Sequence, residues 1–261
     1  MRVCFAVNPK RSATLEACAD FVQIAKARGI DAAVYDGADT SALAGAAALV
    51  VIGGDGSLIH SAQAACKHDI PLLGVNLGRV GFLTEIGRDD FPAALAKLQA
   101  GDYRVSRRAM LSLSIAGAAA IDCLNDVLLY KPAFSGVAHM QLTMGAEKVG
   151  SIRGDGIVVA TQTGSTGYSL SAGGPVLAEG LDAMVITPIC THTLRLRPIV
   201  VSLDTVVRLS VEDSGIVAAD GEQVGELTAG QELCITRSSK TLSLLRFGQK
   251  NIFARIHEKL W

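Results

Sequence analysis

The sequence feature that most constrains the fold is a change of hydrophobic period near Gly101. Before it, short apolar runs alternate with segments of helical spacing. The run Ala48–Ile52 is apolar at every position, which is typical of a parallel strand buried on both faces. Strands that alternate with helices predict a doubly wound α/β domain. The predicted strands are Val3–Val7, Ala32–Tyr35, Ala48–Ile52 and Pro71–Val75, and the predicted helices are one that contains Leu15 and ends at Gly29, Leu58–Lys67 and Phe91–Gln99.

After Gly101 the apolar residues recur at every second position. Leu111, Leu113 and Ile115 alternate with serines, and residues 140–144 and 207–211 show the same alternation. This period is typical of antiparallel sheet. We therefore predict an N-terminal doubly wound α/β domain followed by a mainly antiparallel β domain. The predicted bounds are residues 1–101 for the first domain, 102–244 for the second and 245–261 for a C-terminal segment with weak helical spacing over Ile252–Leu260.

Composition excludes several classes of protein. The chain is 49% hydrophobic and 19% charged, which is a globular composition, and its net charge of −1 gives no basic surplus for nucleic acid or an anionic membrane. The longest uncharged apolar stretch, Thr40–Gly54, is shorter than the roughly 18–20 residues that span a bilayer. The apolar run Val3–Val7 precedes Lys10 and Arg11, whereas a secretory signal has its charges first. We expect a cytoplasmic protein with no membrane segment.

The cysteines are scattered. None of the six forms a C-x-x-C pair, so we expect reduced thiols and no zinc site.

The strongest single motif is Gly53-Gly54-Asp55-Gly56-Ser57, which lies between a buried-strand pattern and a helix pattern. Ligands bind at this end of a strand in α/β sheets, and glycines let backbone N–H groups approach a phosphate. A carboxylate in such a loop could bind a divalent metal or accept a proton from a hydroxyl nucleophile. The alternative is a tight turn in which Asp55 caps the helix. Neither a P-loop nor a G-x-G-x-x-G motif is present.

A second motif extends from Thr161 to Pro175 and is rich in hydroxyl side chains and glycines. Such a segment can offer donors to phosphate and ribose, and Tyr168 could pack on a base. The alternative is a flexible surface loop. Because the segment directly follows the apolar run Gly156–Ala160, which indicates a core strand, we favour a binding site.

Three weaker features also carry polar groups. Asn125-Asp126 lies between two apolar runs and is compatible with nucleoside binding or with a β-turn. Arg153-Gly154-Asp155 could form a local ion pair in a turn or place opposite charges at a ligand. His139 and His192 are by default structural histidines.

Together these segments resemble the NAD kinase family. The pattern covers most of the chain, and its order and spacing match. It consists of G-G-D-G-S at 53–57, G-V-N-L-G-R-V-G-F-L at 74–83, N-D at 125–126, R-G-D-G at 153–156, T-G-S-T-G-Y-S-L-S-A-G-G-P at 163–175 and D-G-E at 220–222. Five positions depart from the commoner family residues, and they are Ser57, Asp126, Gln162, Gly167 and Glu222. Glu222 stands where glutamine is frequent.

The resemblance implies a role for each matching residue. Asp55 would take the proton from the 2′-hydroxyl of NAD or orient it, with Gly56 beside it. The remaining NAD-binding residues would be Asn125, Asp126, His139, Arg153, Asp155, Thr166, Gly167, Tyr168, Ser169, Leu170 and Ser171. The resemblance also implies ATP as phosphoryl donor, a divalent cation such as Mg²⁺ with unidentified ligands, a homo-oligomer (dimer or tetramer), and a C-terminal segment that returns to the first domain.

Other classes of protein share part of the pattern. Both 6-phosphofructokinases and lipid kinases carry G-G-D-G. A 6-phosphofructokinase would be longer than this chain, and its expected sugar-binding segments are not evident. A lipid kinase should carry a lipid-binding cleft and would not need the Thr163–Pro175 segment. A non-catalytic NAD-sensing module is a third alternative. It would gain nothing from a carboxylate beside phosphates.

Overall fold

A computed structural model describes residues 1–78, 81–132, 136–192, 195–248 and 256–257. The chain divides into two compact units. The first, here the α/β unit, comprises Met1–Arg108 and Leu242–Trp261, and the second, here the β unit, comprises Ala109–Thr241. The segment Ile252–Leu260, with its weak helical spacing, lies outside the described residues except for residues 256 and 257.

The α/β unit is built on a parallel sheet with the strand order β2-β1-β3-β4, and the two-residue strand β5 extends it beside β4. Val3 pairs with Ala48 of β3 on one side and with Ala32 of β2 on the other. Its strands and helices, numbered in chain order, are β1 Arg2–Ala6, α1 Ser12–Ala27, β2 Asp31–Tyr35, β3 Ala48–Ile52, α2 Asp55–Lys67, β4 Leu72–Asn76, β5 Ile86–Gly87 and α3 Phe91–Ala100.

Helices cover both faces of this sheet, as predicted. Helices α1 and α3 share one core cluster with alternate residues of the strands, and Phe21 of α1 stacks on Phe91 of α3 with ring centroids 4.0 Å apart. On the opposite face α2 packs against β3 and β4. Leu58 of α2 lies so close to β4 that a Cβ at Gly74 would be 2.8 Å from Leu58 Cδ1. The doubly wound prediction is confirmed.

Helix α1 exists where its spacing predicts it, but its buried stripe is different. Leu15 is 43% exposed and Ala19 is also exposed, although both belong to the apolar pattern that predicts the helix. The helix ends as predicted before Gly29, whose φ of +70° suits glycine. The buried residues of α1 are Thr14, Ala17, Cys18, Phe21 and Ala25.

The β unit contains two sheets. One is six-stranded and fully antiparallel, with the order β13-β12-β11-β8-β15-β16, and the other contains β10-β9-β14-β17 with β6 and β7. The elements are β6 Arg104–Ile115, β7 Ile121–Cys123, β8 Asp126–Tyr130, β9 Ala138–Met144, β10 Glu147–Gly154, β11 Gly156–Thr161, α4 Tyr168–Ser171, β12 Ala183–Ile189, β13 Ile199–Ser202, β14 Val207–Val211, β15 Ser214–Ala219, β16 Glu222–Thr228 and β17 Glu232–Arg246.

A single hydrophobic core lies between these two sheets. Leu111, Leu142 and Leu209 contribute from one sheet, and Val127 and Val159 contribute from the other. The period-two segments of the sequence therefore form antiparallel strands with alternate residues buried, as predicted.

The chain passes between the units within β6 and within β17 rather than in loops. A boundary inside a strand carries no turn signal in the sequence. Gly101, where the hydrophobic period changes, instead ends α3 with a φ of +71°. Among the described residues, no helix has the length and apolar character needed to cross a membrane.

Candidate active site

The Gly53–Ser57 loop joins β3 to α2, as its flanking patterns predict. Gly53 has a φ of +148°, and a Cβ there would lie 2.4 Å from the Ser57 Oγ, so the tight turn requires glycine. Gly56 is different, because it is exposed in the first turn of α2 and no atom lies within 4 Å of where its Cβ would be. The packing of the described residues does not require glycine at position 56, which leaves the approach of a ligand as a reason for it.

Asp55 is the first residue of α2, and its carboxylate faces a neighbouring loop. The Oδ2 atom accepts a hydrogen bond from the Phe82 N–H (2.7 Å), and Oδ1 accepts from Leu83 (3.0 Å) and Thr84 (3.1 Å). A Cβ at Gly81 would lie 2.1 Å from Oδ1, so this contact requires glycine at position 81. Arg79 and Val80, which belong to the motif at residues 74–83, lie outside the described residues.

These contacts show what the Asp55 carboxylate binds within the chain. Gly54 is the N-cap of α2, and no side chain caps the helix there. The interpretation that Asp55 caps the helix is therefore wrong, because its carboxylate binds the 82–84 backbone instead. Each carboxylate oxygen has two lone pairs, and Oδ2 accepts only one of these three bonds. Oδ2 can therefore still accept a hydrogen bond from a substrate hydroxyl.

A cavity of about 480 Å³ lies in the α/β unit beside this loop. It opens at the carboxyl ends of β1 and β3, where the strand order reverses direction, and ligands bind at such switch points in open α/β sheets. Ser57 of the Gly53–Ser57 motif lines this cavity, whereas the other polar residues that line it belong to no motif found in the sequence. Its lining residues include Asn8, Lys10, Tyr35, Asp36, Ser57 and His60.

In the β unit, Asn125 and Asp126 form the connection from β7 into β8. The carboxylate of Asp220 accepts hydrogen bonds from the N–H groups of Leu124 (2.8 Å), Asn125 (2.6 Å) and Asp126 (3.4 Å). The Thr161 hydroxyl donates to the Leu124 carbonyl at 2.7 Å, and the Thr161 N–H donates to the Asn125 carbonyl. The connection is fixed on both sides, so the interpretation as a simple β-turn does not describe it.

Asp220 was not among the predicted site residues. It lies with Gly221 in the two-residue turn between β15 and β16, and both residues have positive φ values, +50° and +86°. Asp-Gly is a strong sequence signal for such a hairpin turn. That signal could have located the turn. It could not have predicted the contact between Asp220 and the β7–β8 connection, because Leu124 and Asn125 lie about 95 residues earlier in the chain.

A cavity of about 250 Å³ in the β unit brings several predicted residues together. Asn125, Asp126 and Tyr168 line it, and Tyr168 is 47% exposed, so much of its side chain is accessible to a ligand. The other lining residues are Leu128, Ala218, Asp220 and Gly221.

The two carboxylates of this cavity have unusual proton affinities. Asp126 is only 8% exposed, and burial, together with the charge of Asp220, raises the pKa of Asp126 to about 7. Burial also raises the pKa of Asp220, although the three N–H groups that it accepts from oppose this shift. Within the described part of the chain the buried Oδ1 of Asn125 has no hydrogen-bond partner. Such an orphan acceptor beside a cavity fits a ligand that donates a hydrogen bond.

Hydrogen bonds to residues outside the Thr163–Ser171 segment hold it in place, which the flexible-loop interpretation does not explain. The Ser165 hydroxyl donates to the Gln162 carbonyl and accepts from the Leu177 N–H, and the buried Ser169 hydroxyl bonds with that of Thr187 at 2.9 Å. A Cβ at Gly164 would lie 2.1 Å from the Asn125 carbonyl oxygen. The segment therefore packs directly on the Asn125 connection. Thr166, Gly167 and Leu170 are half-buried, and Ser171 is exposed.

Arg153, Asp155 and His139 are not among the residues that line the described cavity of the β unit. Arg153 is exposed on β10, opposite His139 of β9, and His139 Nδ1 lies 3.2 Å from Glu212. Asp155 forms an ion pair with Lys131 at 2.8 Å, and this hydrogen bond lowers the pKa of Asp155. The turn interpretation with an ion pair is thus partly correct, but the partner of Asp155 is Lys131 rather than Arg153.

A divalent cation needs suitable donors. No group of three or more His, Cys, Asp or Glu side chains able to hold a metal ion occurs among the residues that the structure describes. Mg²⁺ commonly uses one or two carboxylates together with substrate phosphates and water.

Comparisons with known proteins agree along the chain. Residues 3–103 match the ATP-NAD kinase N-terminal domain, and residues 124–247 match the ATP-NAD kinase C-terminal domain. The NAD kinase of Geotalea daltonii is 40% identical over 219 residues, which cover 81% of this chain and 77% of that protein. The NAD kinase of Heliobacterium modesticaldum is 38% identical with the same coverage.

Solved structures give the same result. An NAD kinase from Archaeoglobus fulgidus in complex with ATP superposes with a TM-score of 0.82 at 26% identity, covering all of this chain and 97% of that one. Yeast NADH kinase complexed with NADH superposes with a TM-score of 0.90, covering all of this chain and 87% of that one, but at 19% identity it shows the fold alone. The fold and these matches define a kinase. The chain belongs to the NAD kinase family.

Proposed function

We propose that this protein transfers the terminal phosphoryl group of ATP to the 2′-hydroxyl of the adenosine ribose of NAD, giving NADP and ADP. The observation that carries the proposal is the cavity of the β unit, where Asn125, Asp126 and Tyr168 converge from separate predicted motifs. The relatives from Geotalea and Heliobacterium are NAD kinases, which fits the same reaction.

Asp55 is the proposed base. Its carboxylate is held by the N–H groups of residues 82–84, and Oδ2 keeps an acceptor site for the proton of the attacking hydroxyl. Gly56 leaves open space beside it for phosphate. Phosphoryl transfer depends mainly on positioning and on electrostatic stabilisation, so a fixed carboxylate in a Gly-rich loop suits the reaction.

The β unit is proposed to bind the adenosine half of NAD. The unpaired Asn125 Oδ1 would accept from the amino group of adenine, and Asp126 would accept from ribose hydroxyls. Tyr168 would stack on the base. Arg153, Asp155 and His139 remain proposed contacts to NAD, together with the segment from Thr166 to Ser171.

The stacking of Tyr168 can be tested by substitution. Tyr168→Ala should weaken NAD binding by roughly 1–3 kcal/mol, using base–aromatic stacking as a guide, and should change ATP affinity much less. Tyr168→Phe keeps the ring and should bind NAD almost normally, and Tyr103→Ala removes an exposed tyrosine of the other unit as a control. Equal losses for NAD and ATP, measured by calorimetry, would show that Tyr168 does not stack on NAD.

The cavity of the α/β unit is the proposed site for the phosphoryl donor. It lies at the switch point of the sheet, directly beside Ser57 and the first turn of α2, whose N-terminus favours phosphate. Lys10 at its edge supplies a cation. Mg²⁺ would be held chiefly by the nucleotide phosphates, and it would neutralise charge that develops on the phosphoryl group.

One assay separates this function from its alternatives. Purified protein is incubated with ATP, Mg²⁺ and either NAD, fructose 6-phosphate or diacylglycerol, and the phosphorylated product is measured. We expect turnover with NAD alone. Turnover with the sugar or the lipid would indicate a phosphofructokinase or a lipid kinase, and NAD binding without turnover would indicate a sensing module.

We further propose a homo-oligomer, a dimer or a tetramer, that acts in the cytoplasm. The family resemblance supports the assembly. All six cysteines are free thiols, as expected for a reducing compartment. Light scattering and cell fractionation test these two points.

A further inference from the structure

The backbone that holds Asp55 is itself held from its other side. Leu83 donates its N–H to Asp55 Oδ1 at 3.0 Å, and its carbonyl accepts a hydrogen bond from Arg246 Nη1 at 2.8 Å. Arg246 is therefore linked to the proposed base through the main chain of one residue, Leu83. All three residues belong to the α/β unit.

Arg246 is anchored by a second contact. Its Nη1 also lies 2.9 Å from Glu85 Oε2, and both side chains are almost fully buried, with exposures of 6% and 7%. The other carboxylate oxygen, Oε1, accepts from the N–H groups of Phe247 (2.9 Å) and Gly248 (3.3 Å). The end of β17 and the loop after it are thus bound to the Leu83 carbonyl and to the Glu85 side chain.

A buried ion pair of this kind is poor evidence for stability as such. Apolar residues of similar volume often serve stability as well, because both charges must be removed from water. What a guanidinium adds is geometry, since its planar donors hold acceptors at fixed angles. Here those acceptors are the Leu83 carbonyl and the Glu85 carboxylate. Thr84, which lies between these two residues in the chain, donates its N–H to Asp55.

We propose that Arg246 is a positioning residue for phosphoryl transfer: it holds the 82–84 backbone so that its N–H groups fix the orientation of the Asp55 carboxylate. The inference rests on the proposed role of Asp55 as base. It assigns a role in the reaction to a residue at the far end of the chain, outside every motif found in the sequence.

The test variant must not leave a buried charge alone. The double substitution Arg246→Met with Glu85→Gln removes both charges, and the introduced glutamine would keep an oxygen for the Phe247 and Gly248 N–H groups. We expect kcat to fall by about 10²-fold, which is the cost of misplacing a catalytic group by roughly 1 Å. KM for NAD and for ATP should stay within about threefold, since Arg246 lines neither described cavity.

A merely structural role is excluded by combining this variant with Asp55→Asn. If Arg246 acts through Asp55, the Arg246 and Glu85 substitutions should cost little further kcat once Asp55 is replaced. If the combined variant loses kcat by the product of the two separate losses, the proposal is overturned. An unchanged kcat in the variant with Arg246→Met and Glu85→Gln would also overturn it. Asp55→Asn alone with near-normal kcat would instead overturn the role of Asp55.

Two further variants keep the result interpretable. Arg237→Met removes an arginine that pairs with Asp182 and Asp204 in the β unit, and should leave kcat unchanged. Arg246→Lys keeps a buried cation beside Glu85 but loses the planar fork, so kcat should still fall about tenfold while the circular dichroism spectrum stays unchanged. A normal kcat in Arg246→Lys would show that the charge, and not the geometry, is what matters, which contradicts the proposal.

Discussion

At the scale of single residues, Asp55 is the side chain on which the chemistry depends most. Its carboxylate is fixed by three N–H groups, and none of them belongs to its own helix. The expected effect of Asp55→Asn is a loss of kcat by at least ~10²–10⁴, as for removal of a general base. Asparagine keeps one oxygen acceptor, so the fold should survive.

The measurement is steady-state kinetics with NAD and ATP, together with a thermal unfolding curve. Asp89→Asn, an exposed aspartate of the same unit, is the matched control and should keep full activity. If Asp55→Asn retains a normal kcat, Asp55 is not the base.

Asp126 gives a prediction about pH. Its pKa of about 7 in the folded protein exceeds the ordinary value of ~3.9 for an unfolded chain. Between these values the folded protein binds more protons than the unfolded chain, so the unfolding free energy should fall as pH rises from about 4 to about 7. The stabilising contribution of the protonated acid is complete below pH ~4 and is lost above pH ~7.

Urea unfolding at about pH 5 and about pH 8 checks this prediction. Asp126→Asn should be more stable than the wild type at the higher pH, because asparagine has no charge to bury. Asp122→Asn is a control of opposite sign: burial raises the pKa of Asp122, but hydrogen bonds from Ser238 and Lys240 outweigh burial and lower it. That variant should be destabilised at both pH values. The prediction is contradicted if the unfolding free energy of the wild type, relative to that of Asp126→Asn, rises between about pH 5 and about pH 8.

At the scale of elements, the first turn of α2 contains a glycine that the described packing does not require. Gly56 has open space at its Cβ position, so alanine fits there and should stabilise the helix by up to about 1 kcal/mol. If phosphate approaches this backbone closely, the added methyl group should nevertheless lower kcat/KM by at least about tenfold, which corresponds to ~1.4 kcal/mol.

The two effects are measured separately, by thermal unfolding and by kinetics. Gln63→Ala raises helix propensity at an exposed position of the same helix and should leave activity unchanged. A Gly56→Ala protein that is both more stable and fully active would show that no ligand comes close to residue 56.

Elements also show how far the sequence could predict the fold. Strands β3 and β11 are buried on both faces, so their composition alone identifies them. The buried stripe of α1 could not be predicted correctly, because small residues such as Ala17 and Cys18 form it while the larger Leu15 remains exposed. The two-residue strand β5 is too short to have a period.

The range of their contacts explains why some site residues were predicted and Asp220 and Arg246 were not. Asn125, Asp126 and Tyr168 each belong to a motif with an unusual local composition, and they line one cavity. Asp220 and Arg246 act through backbone atoms of residues about ninety and 163 positions away. Contacts of that range follow from strand topology, and no local pattern encodes them.

At the scale of the whole molecule, the exposed charge of Arg153 bears on assembly. The sequence predicts that Arg153 and Asp155 project together from one extended segment. Instead β10 ends at Gly154 and the chain enters another sheet at Gly156. A Cβ at Gly154 would lie 2.8 Å from the Ile189 carbonyl oxygen, so this crossing requires glycine. Asp155 pairs with Lys131, which leaves Arg153 on the edge strand β10 opposite His139.

The Arg153 carbonyl accepts hydrogen bonds from the His192 N–H (2.8 Å) and the Thr191 hydroxyl (3.2 Å), but the exposed Arg153 side chain offers a cation to a neighbouring molecule. If NAD lies at such a subunit boundary, NAD should stabilise the oligomer against dilution by mass action. We expect Arg153→Ala to weaken both NAD binding and oligomerisation. Arg88→Ala removes a half-exposed arginine that pairs with Asp20 and should change neither.

Sedimentation across a dilution series, with and without NAD, measures the coupling directly. Saturating NAD must change the oligomer dissociation constant by the ratio of the NAD dissociation constants of the two assembly states, raised to the number of NAD sites in the oligomer, because coupling free energies are reciprocal. Arg153→Ala should bring both ratios towards one. A monomer that binds NAD with full affinity would separate assembly from substrate binding, and it would leave the roles of Asp55 and Asp126 unaffected, since the contacts that hold them lie within single units of one chain.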